Sequence, residues 1–351
     1  MFTAFLMVSC STTDADIEEN SGVHEPKLIR FSVGGNMSTR NGSTRDALVK
    51  YYDDLTEKEI NVTSIIRTTA TSYFADEKLK YSTTNDSWGI ANKYYWPAGT
   101  HFNFFARVPF GDTNISNASY NTFTYTTPSA NEGQCDFLYA TSYDPSEEEN
   151  NVPLNFLHGL AAVSFKGLTD GTSVSVVVQN IELCNVYTRG VFTMPNVSTI
   201  ADSDGNITEG VWSSLSQKGN LNAGVATDGV TLTSLETLDI TNTGGEIKVI
   251  PQSVSKWVIT EGKATEQTKG YLIIHCRLID NGFYLAGSAD TFGKIYVPFE
   301  ETFDAGKHYT YTLKFGIGYD ESGKRNEIHL TMSSTITDWN RETINFDKHV
   351  L

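Results

Sequence analysis

The clearest chemistry in this chain sits at Cys10, which follows a short apolar stretch, Phe2 to Val8, and the small residue Ser9. The stretch is too short to span a bilayer, and small side chains before a cysteine are what a signal peptidase needs in order to cut there. The spacing predicts a lipoprotein signal over residues 1–9, with the Cys10 thiol as the nucleophile that receives a diacylglyceryl group. Acyl chains on the thiol and on the new amino terminus each contribute about 0.8 kcal/mol per buried CH₂, enough together for stable anchoring. No Lys or Arg precedes the stretch and Met7 stands where such signals carry Leu, so an ordinary signal peptide is the competing reading. After the cysteine come Asp14, Asp16, Glu18 and Glu19 among Ser, Thr and Asn, which predicts a solvated acidic tether over residues 10–26.

The rest of the chain offers little reactive chemistry. Cys135, Cys184 and Cys276 are an odd number at wide spacing, which predicts buried free thiols rather than a disulfide framework or a metal knuckle. The phosphate-binding, nucleophile-elbow and zincin motifs are all missing, and the seven histidines are scattered singly. His158 is expected as a packed side chain at a strand end. Asp202-Ser203-Asp204-Gly205-Asn206-Ile207 resembles the middle of a calcium loop. With Asp202 at loop position three, however, Ile200 and Val211 fall where the first ligand and the bidentate carboxylate belong, so a turn is expected. No metal, no cofactor and no enzymatic activity are expected. The balance of 26 basic against 42 acidic side chains, a formal charge of −16, repels phosphate and excludes nucleic acid as a partner. Trp88, Tyr94, Tyr95 and Trp96 are either core aromatics or a platform on which sugars stack.

The elements that must position these residues are strands. A chain of 351 residues rich in aromatics, Thr, Ser, Asn and Val is long enough for two domains and suits half-buried pleated sheets. Ile29, Phe31 and Val33 alternate with Arg30 and Ser32, a first strand with one apolar face. Asp46 to Glu59 carries Leu48, Tyr51, Tyr52 and Leu55 at helical spacing, and Asn61 to Thr71 reads as a strand. Further strands are expected at Phe102 to Ala106, at Phe137 to Thr141 as the last of the first domain, at Val174 to Val178 and at Ile247 to Pro251. Tyr309, Tyr311, Leu313, Phe315 and Ile317 keep period two, and Ile328, Leu330 and Met332 repeat it after a turn, which predicts a hairpin. The acidic run Asp144 to Asn151 reads as a linker and places a boundary between domains over 27–150 and 151–351. Many short strands without alternating helices predict antiparallel sandwiches.

An ordered set of segments carries a resemblance. It comprises Cys10 and its leader; Ile29 to Val33 followed by Ser38-Thr39-Arg40; Tyr94-Tyr95-Trp96-Pro97 before Phe102 to Val108; and Phe137-Leu138-Tyr139-Ala140. It continues with Leu154 to Leu160, Gly190-Val191-Phe192, Val249-Ile250-Pro251-Gln252 and Ile336-Thr337-Asp338-Trp339. Together these resemble the fimbrillin family of Bacteroides-type bacteria, lipoprotein precursors of surface pili, over nearly the whole chain.

The resemblance implies an all-β fold of two tandem transthyretin-like β-sandwich domains with Greek-key-type antiparallel sheets and few short helices. It implies a structural or adhesive pilus subunit at the outer membrane and cell surface, anchored through lipid. The implied partners are other pilus subunits joined by β-strand addition, an Arg-specific protease, and receptors or glycans on host or bacterial surfaces. In polymerising members the protease removes the first strand and the groove accepts a strand from the next subunit. Here the cut would fall after Arg40 or Arg45, in a Gly/Asn/Ser-rich loop, and would release Ile29, Phe31 and Val33; an uncut loop arginine, with the first strand kept as in anchor or tip members, is the alternative. Ile344, Phe346 and Val350 have the period of a donor strand, although Lys348 interrupts it and a terminal strand paired within its own domain is the alternative. Shaft, tip and anchor roles stay open. A surface glycan-binding lipoprotein of an outer-membrane uptake complex is the alternative function.

Overall fold

The computed structural model describes residues 27–35, 55–146, 148, 151–171, 173–200, 202–203, 206–260, 263–264, 268–319, 325–339 and 341–348. Cys10, the tether, Arg40, Arg45 and Val350 lie outside the described residues. The first nine strands are β1 (Phe31–Gly35), β2 (Ile60–Ile66), β3 (Thr71–Ser82), β4 (Ser87–Ile90), β5 (Phe102–Val108), β6 (Ile115–Ser116), β7 (Thr122–Thr126), β8 (Leu138–Tyr143) and β9 (Val152–His158). There follow β10 (Ala161–Thr169), β11 (Val174–Thr193), β12 (Val211–Asn222), β13 (Val230–Leu232), β14 (Leu238–Asp239), β15 (Ile247–Val249), β16 (Gln252–Val254), β17 (Ile259–Thr260) and β18 (Lys263–Ala264). The last are β19 (Tyr271–Asp280), β20 (Phe283–Ala286), β21 (Gly293–Pro298), β22 (Glu301–Phe303), β23 (Lys307–Tyr319), β24 (Arg325–Asp338) and β25 (Arg341–Lys348).

The fold is all-β, as the composition and patterning require. Seven strands run in the order β1-β4-β3-β2-β5-β8-β9 and close on themselves through β9 and β1, so the N-terminal unit is a barrel. The C-terminal unit is a sandwich. One sheet runs β14-β10-β23-β24-β25 with β15 on β10, and the other runs β20-β19-β11-β7-β6 with β12 and β13 on β11 and β21 on β19. Alternate residues of β10, β11, β19 and β23, among them Phe165, Val176, Ile274 and Tyr311, meet between the sheets as one buried core.

Several elements differ from the sequence expectation. The stretch Asn61 to Thr71 is two strands, because β2 ends at Ile66 and the chain turns at Ala70, which has φ 55°. No Gly or Asn marks that turn. Of the expected helix over Asp46 to Glu59, Leu55 and Thr56 are helical and residues 46–54 lie outside the described residues. Two pairings are parallel rather than antiparallel, β1 with β9 and β10 with β23. Their partners are far apart in sequence, so no turn dictates their direction. The barrel also continues past residue 150 into β9, while the hairpin β6–β7 from the first half of the chain joins the sandwich, with Phe123 opposite Phe192. The hairpin expected near the C-terminus is β23–β24, with Tyr309 opposite Ile336 and Ile317 opposite Ile328.

Candidate functional site

The geometry of the first strand follows from its period. Ile29, Phe31 and Val33 share one face and all three are sunk in the barrel, at 4%, 4% and 6% exposed. Phe31 meets Phe104 of β5 edge to face at 5.8 Å, and Trp88, Trp96, Leu154 and Phe156 complete the surroundings. Burial of such side chains stabilises by about 1.5–3 kcal/mol each.

The backbone attachment of β1 is unequal on its two sides. Five parallel pairs join it to β9, from Phe31 with Val152 to Gly35 with Phe156. Towards β4 there is a single pair, Phe31 with Trp88. The preceding residues add the bridge Leu28 to Tyr95, with Ile29 N donating to Tyr94 O at 2.8 Å and Trp96 N donating to Lys27 O at 2.8 Å. Between these contacts lies a groove of about 700 Å³, bordered by Leu28 to Val33 on one side and Asn85 to Lys93 on the other. Parallel pairing is slightly weaker per residue than antiparallel. β1 is therefore held mainly by its three side chains, and it closes the barrel at a seam.

The other end of the chain stands differently. β25 pairs antiparallel with β24, with Ile344 opposite Ile336 and Phe346 opposite Ser334. Among the described residues it is the last strand of its sheet, with a ladder partner on one side only. β1 and β25 thus belong to separate units, one inserted between two strands and the other at an edge.

A second assembly of residues was not anticipated from the sequence. Ile65, Phe105 and Tyr139 on the outer face of the barrel meet Phe123, Tyr125 and Phe192 of the sandwich, with Phe137 between them. Phe137 packs against Phe123, Tyr125, Phe192 and Trp212 with centroids 5.0–5.8 Å apart. Gly159 lies so close to the Phe137 ring that any side chain there would collide with it, and a Cβ on Gly190 would fall 2.8 Å from Leu215 and 2.9 Å from Trp212. Trp212 Nε1 donates to Gly159 O at 2.8 Å. Gln252 Nε2 donates to Tyr187 O at 2.9 Å while its Oε1 accepts from Tyr187 N at 2.7 Å. His158 stacks on Trp339 at 3.9 Å and 7°, with Nδ1 2.7 Å from Asp136 Oδ2, and Lys248 Nζ lies 5.3 Å from the same indole ring. Five of the segments that carry the family resemblance, from Phe137-Leu138-Tyr139-Ala140 to Ile336-Thr337-Asp338-Trp339, therefore converge on the junction between barrel and sandwich. The glycines at 159 and 190 were the available signal, since each stands beside large residues without a turn to explain it.

The remaining candidates resolve as packing. Trp88 and Trp96 are buried in the barrel core, and Tyr94 lies against Tyr73 and Phe74 with its hydroxyl donating to Glu77 at 2.6 Å. Only Tyr95, at 40%, is exposed, so these four do not form the sugar platform considered from the sequence. Cys184 and Cys276 are buried free thiols in β11 and β19, and Cys135 is a half-buried one in a loop. Burial pushes Cys184 and Cys276 up to about 12 and Cys135 up to about 11, so none is a nucleophile at neutral pH. Asp202 Oδ1 accepts from Asn206 N at 2.8 Å, while Asp204 and Gly205 lie outside the described residues. Among the described residues no group of three or more His, Cys, Asp or Glu is placed to hold a metal ion.

A model of the family described as fimbrillin-like matches residues 53–339. No curated protein matches. Among solved structures, a "putative cell adhesion protein" of Bacteroides uniformis is similar at 16% identity and a TM-score of 0.47, over 89% of this chain and 99% of that one. A protein of the same description from Bacteroides ovatus is similar at 14% identity and a TM-score of 0.41, over 87% of this chain and 96% of that one. The tip fimbrial protein Mfa3 of Porphyromonas gingivalis is similar at 11% identity and a TM-score of 0.35, over 80% of this chain and 94% of that one.

Proposed function

We propose that this chain, which belongs to the fimbrillin-like family, is a pilus subunit exported as a lipoprotein on Cys10 and opened for strand-donation polymerisation by cleavage after Arg40 or Arg45. The family is structural and adhesive rather than enzymatic, its place is the cell surface, and its partners are other pilus subunits. The lipid anchor in the outer membrane, the Arg-specific protease and the donated strand belong to the proposal.

The observation that carries it is the asymmetry of β1, buried through Ile29, Phe31 and Val33 yet joined to β4 by a single pair. A cut after Arg40 or Arg45 severs β1 from the rest of the chain and leaves side-chain burial, the parallel ladder, the single pair with β4 and the bridge at Leu28 to retain it. Its departure exposes the edges of β4 and β9 together with a row of apolar pockets. An extended strand with apolar residues at period two refills that row, its ladder supplying affinity and its side chains supplying register. Ile344, Phe346 and Val350 have that period, and β25 gives up one ladder to become a donor.

Amino-terminal sequencing of the protein recovered from the cell surface tests this. The expected start is Asn41 or Asp46, with the double variant Arg40→Ala/Arg45→Ala remaining monomeric. Recovery of protein that begins only at Cys10 would show that the strand is kept and would overturn polymerisation by its removal.

A further inference from the structure

The two sheets of the sandwich turn faces of different chemistry towards solvent. On the β10–β23 side the outward positions are Ser164, Lys166, His308, Thr310, Thr312 and Lys314, with Ser164 Oγ 3.0 Å from His308 Nε2 and 3.1 Å from Thr310 Oγ1. A polar strand face, with His308 half-buried in it, needs no more than this. On the β19–β21 side the outward positions include Tyr271 and His275 of β19 and Lys294 and Tyr296 of β21. Trp257 lies over Tyr271 with ring centroids 4.1 Å apart. Trp257 and Tyr296 are close to parallel, at 17°, with centroids 6.3 Å apart, too far for one ring to cover the other. With Tyr271, 6.1 Å from Tyr296, they form an aromatic strip on this face.

Packing accounts for Tyr271, which is half-buried beneath Trp257, and for only part of Tyr296, which stands opposite the buried Ile273. That ring is 50% exposed on an edge strand, where Thr or Lys would serve the sheet equally well. Polar groups already held in place flank the strip. Glu182 Oε1 lies 2.6 Å from His275 Nε2, and Asn220 Nδ2 donates to Glu182 Oε2 at 3.1 Å. Lys294 is exposed beside His275, and Lys256, next to Trp257 in the chain, pairs with Glu300 at 3.1 Å. Aromatic faces meet the C–H face of a sugar whose hydroxyls are equatorial, and carboxylate, amide and imidazole groups held by one another meet its hydroxyls.

We propose that this face is a binding site for a neutral oligosaccharide, stacked on Trp257 and Tyr296 and hydrogen-bonded along Glu182, His275, Asn220 and Lys294. The net charge of −16 disfavours acidic sugars such as uronic and sialic acids, while at the site itself Glu300 is paired with Lys256. The inference does not depend on strand donation.

Saturation-transfer NMR on the full chain with cellohexaose, xylohexaose, mannohexaose and N-acetylchitohexaose tests it. At least one of these sugars is expected to receive saturation at its ring C–H protons. Affinity for it should weaken about ten-fold in Tyr296→Ala and in Trp257→Ala, as for the loss of one stacked ring. Trp257→Phe should retain most of it, and Tyr143→Ala, which removes an exposed ring of the barrel, should leave it unchanged. Tyr296 makes few core contacts, so Tyr296→Ala keeps its fold and reports on binding alone. The proposal is overturned if none of the four sugars binds, or if Tyr296→Ala binds as tightly as the unaltered chain.

Discussion

The seam at β1 and the junction between barrel and sandwich both bury aromatic residues, but they are built for opposite ends. At the seam a short strand is retained by three side chains, a parallel ladder on one side and a single pair on the other. At the junction Phe137 touches four aromatic neighbours, Gly159 and Gly190 allow close approach, and Trp212, Gln252 and His158 add hydrogen bonds that cross between segments. A seam of the first kind opens without disturbing its surroundings. A junction of the second kind ties the two units together, which is what the proposed exchange of a strand in one unit requires if the molecule is to stay whole.

The largest expected effect is at the junction. Phe137→Ala removes a ring shared by both units and should cost about 3–5 kcal/mol. Hydrogen exchange should show β5 and β11 losing protection together; loss confined to one unit would mean that the junction is not a shared core. Phe31→Ala is expected to cost about 3 kcal/mol, the low end of the same range, because the groove beside it lets the site relax. Its effect on exchange should stay within the barrel, leaving β19 and β23 protected as before. A smaller loss of about 2 kcal/mol is expected for Trp339→Ala, which removes the His158 stack and the Lys248 cation–π contact from a half-buried ring. Denaturant melts with and without Lys248→Met would separate the two contributions.

The smallest effect concerns pH. Burial holds the His308 imidazole below its ordinary value, with Lys248 and Lys166 adding to the effect and Glu246 opposing it. The unfolded chain, with the ordinary value of about 6.5, therefore binds the proton first as pH falls. The stability that His308 contributes is present above that value and is lost as pH drops through it towards the folded value. His308→Asn should flatten the stability profile of the sandwich between about pH 7 and pH 5. An unchanged slope would place the pH dependence elsewhere.

How much of this could be seen in the sequence depends on whether a signal is local. β1 and the β23–β24 hairpin were legible because alternation over consecutive residues defines one apolar face, as in Tyr309 to Ile317. The break between β2 and β3 was not, because Ala70 adopts a positive φ without the Gly or Asn that announces such a turn. The four aromatics from Trp88 to Trp96 showed the reverse problem, since their types suit both a core and a surface, and only the closure of the barrel sends three of them inward.

The sequence by itself determined the all-β class, the strand periods and the buried face of β1, which rest on residues that are neighbours in the chain, and the family, which rests on the order of short local segments along it. Tertiary structure alone decided that β1 runs parallel to β9 and meets β4 at one pair, that β6–β7 joins the sandwich, and that five distant segments meet at the junction around Phe137 and His158. Those contacts join residues tens to hundreds of positions apart. No local pattern encodes the partner, which is selected by the free energy of burying complementary faces once all the strands are present.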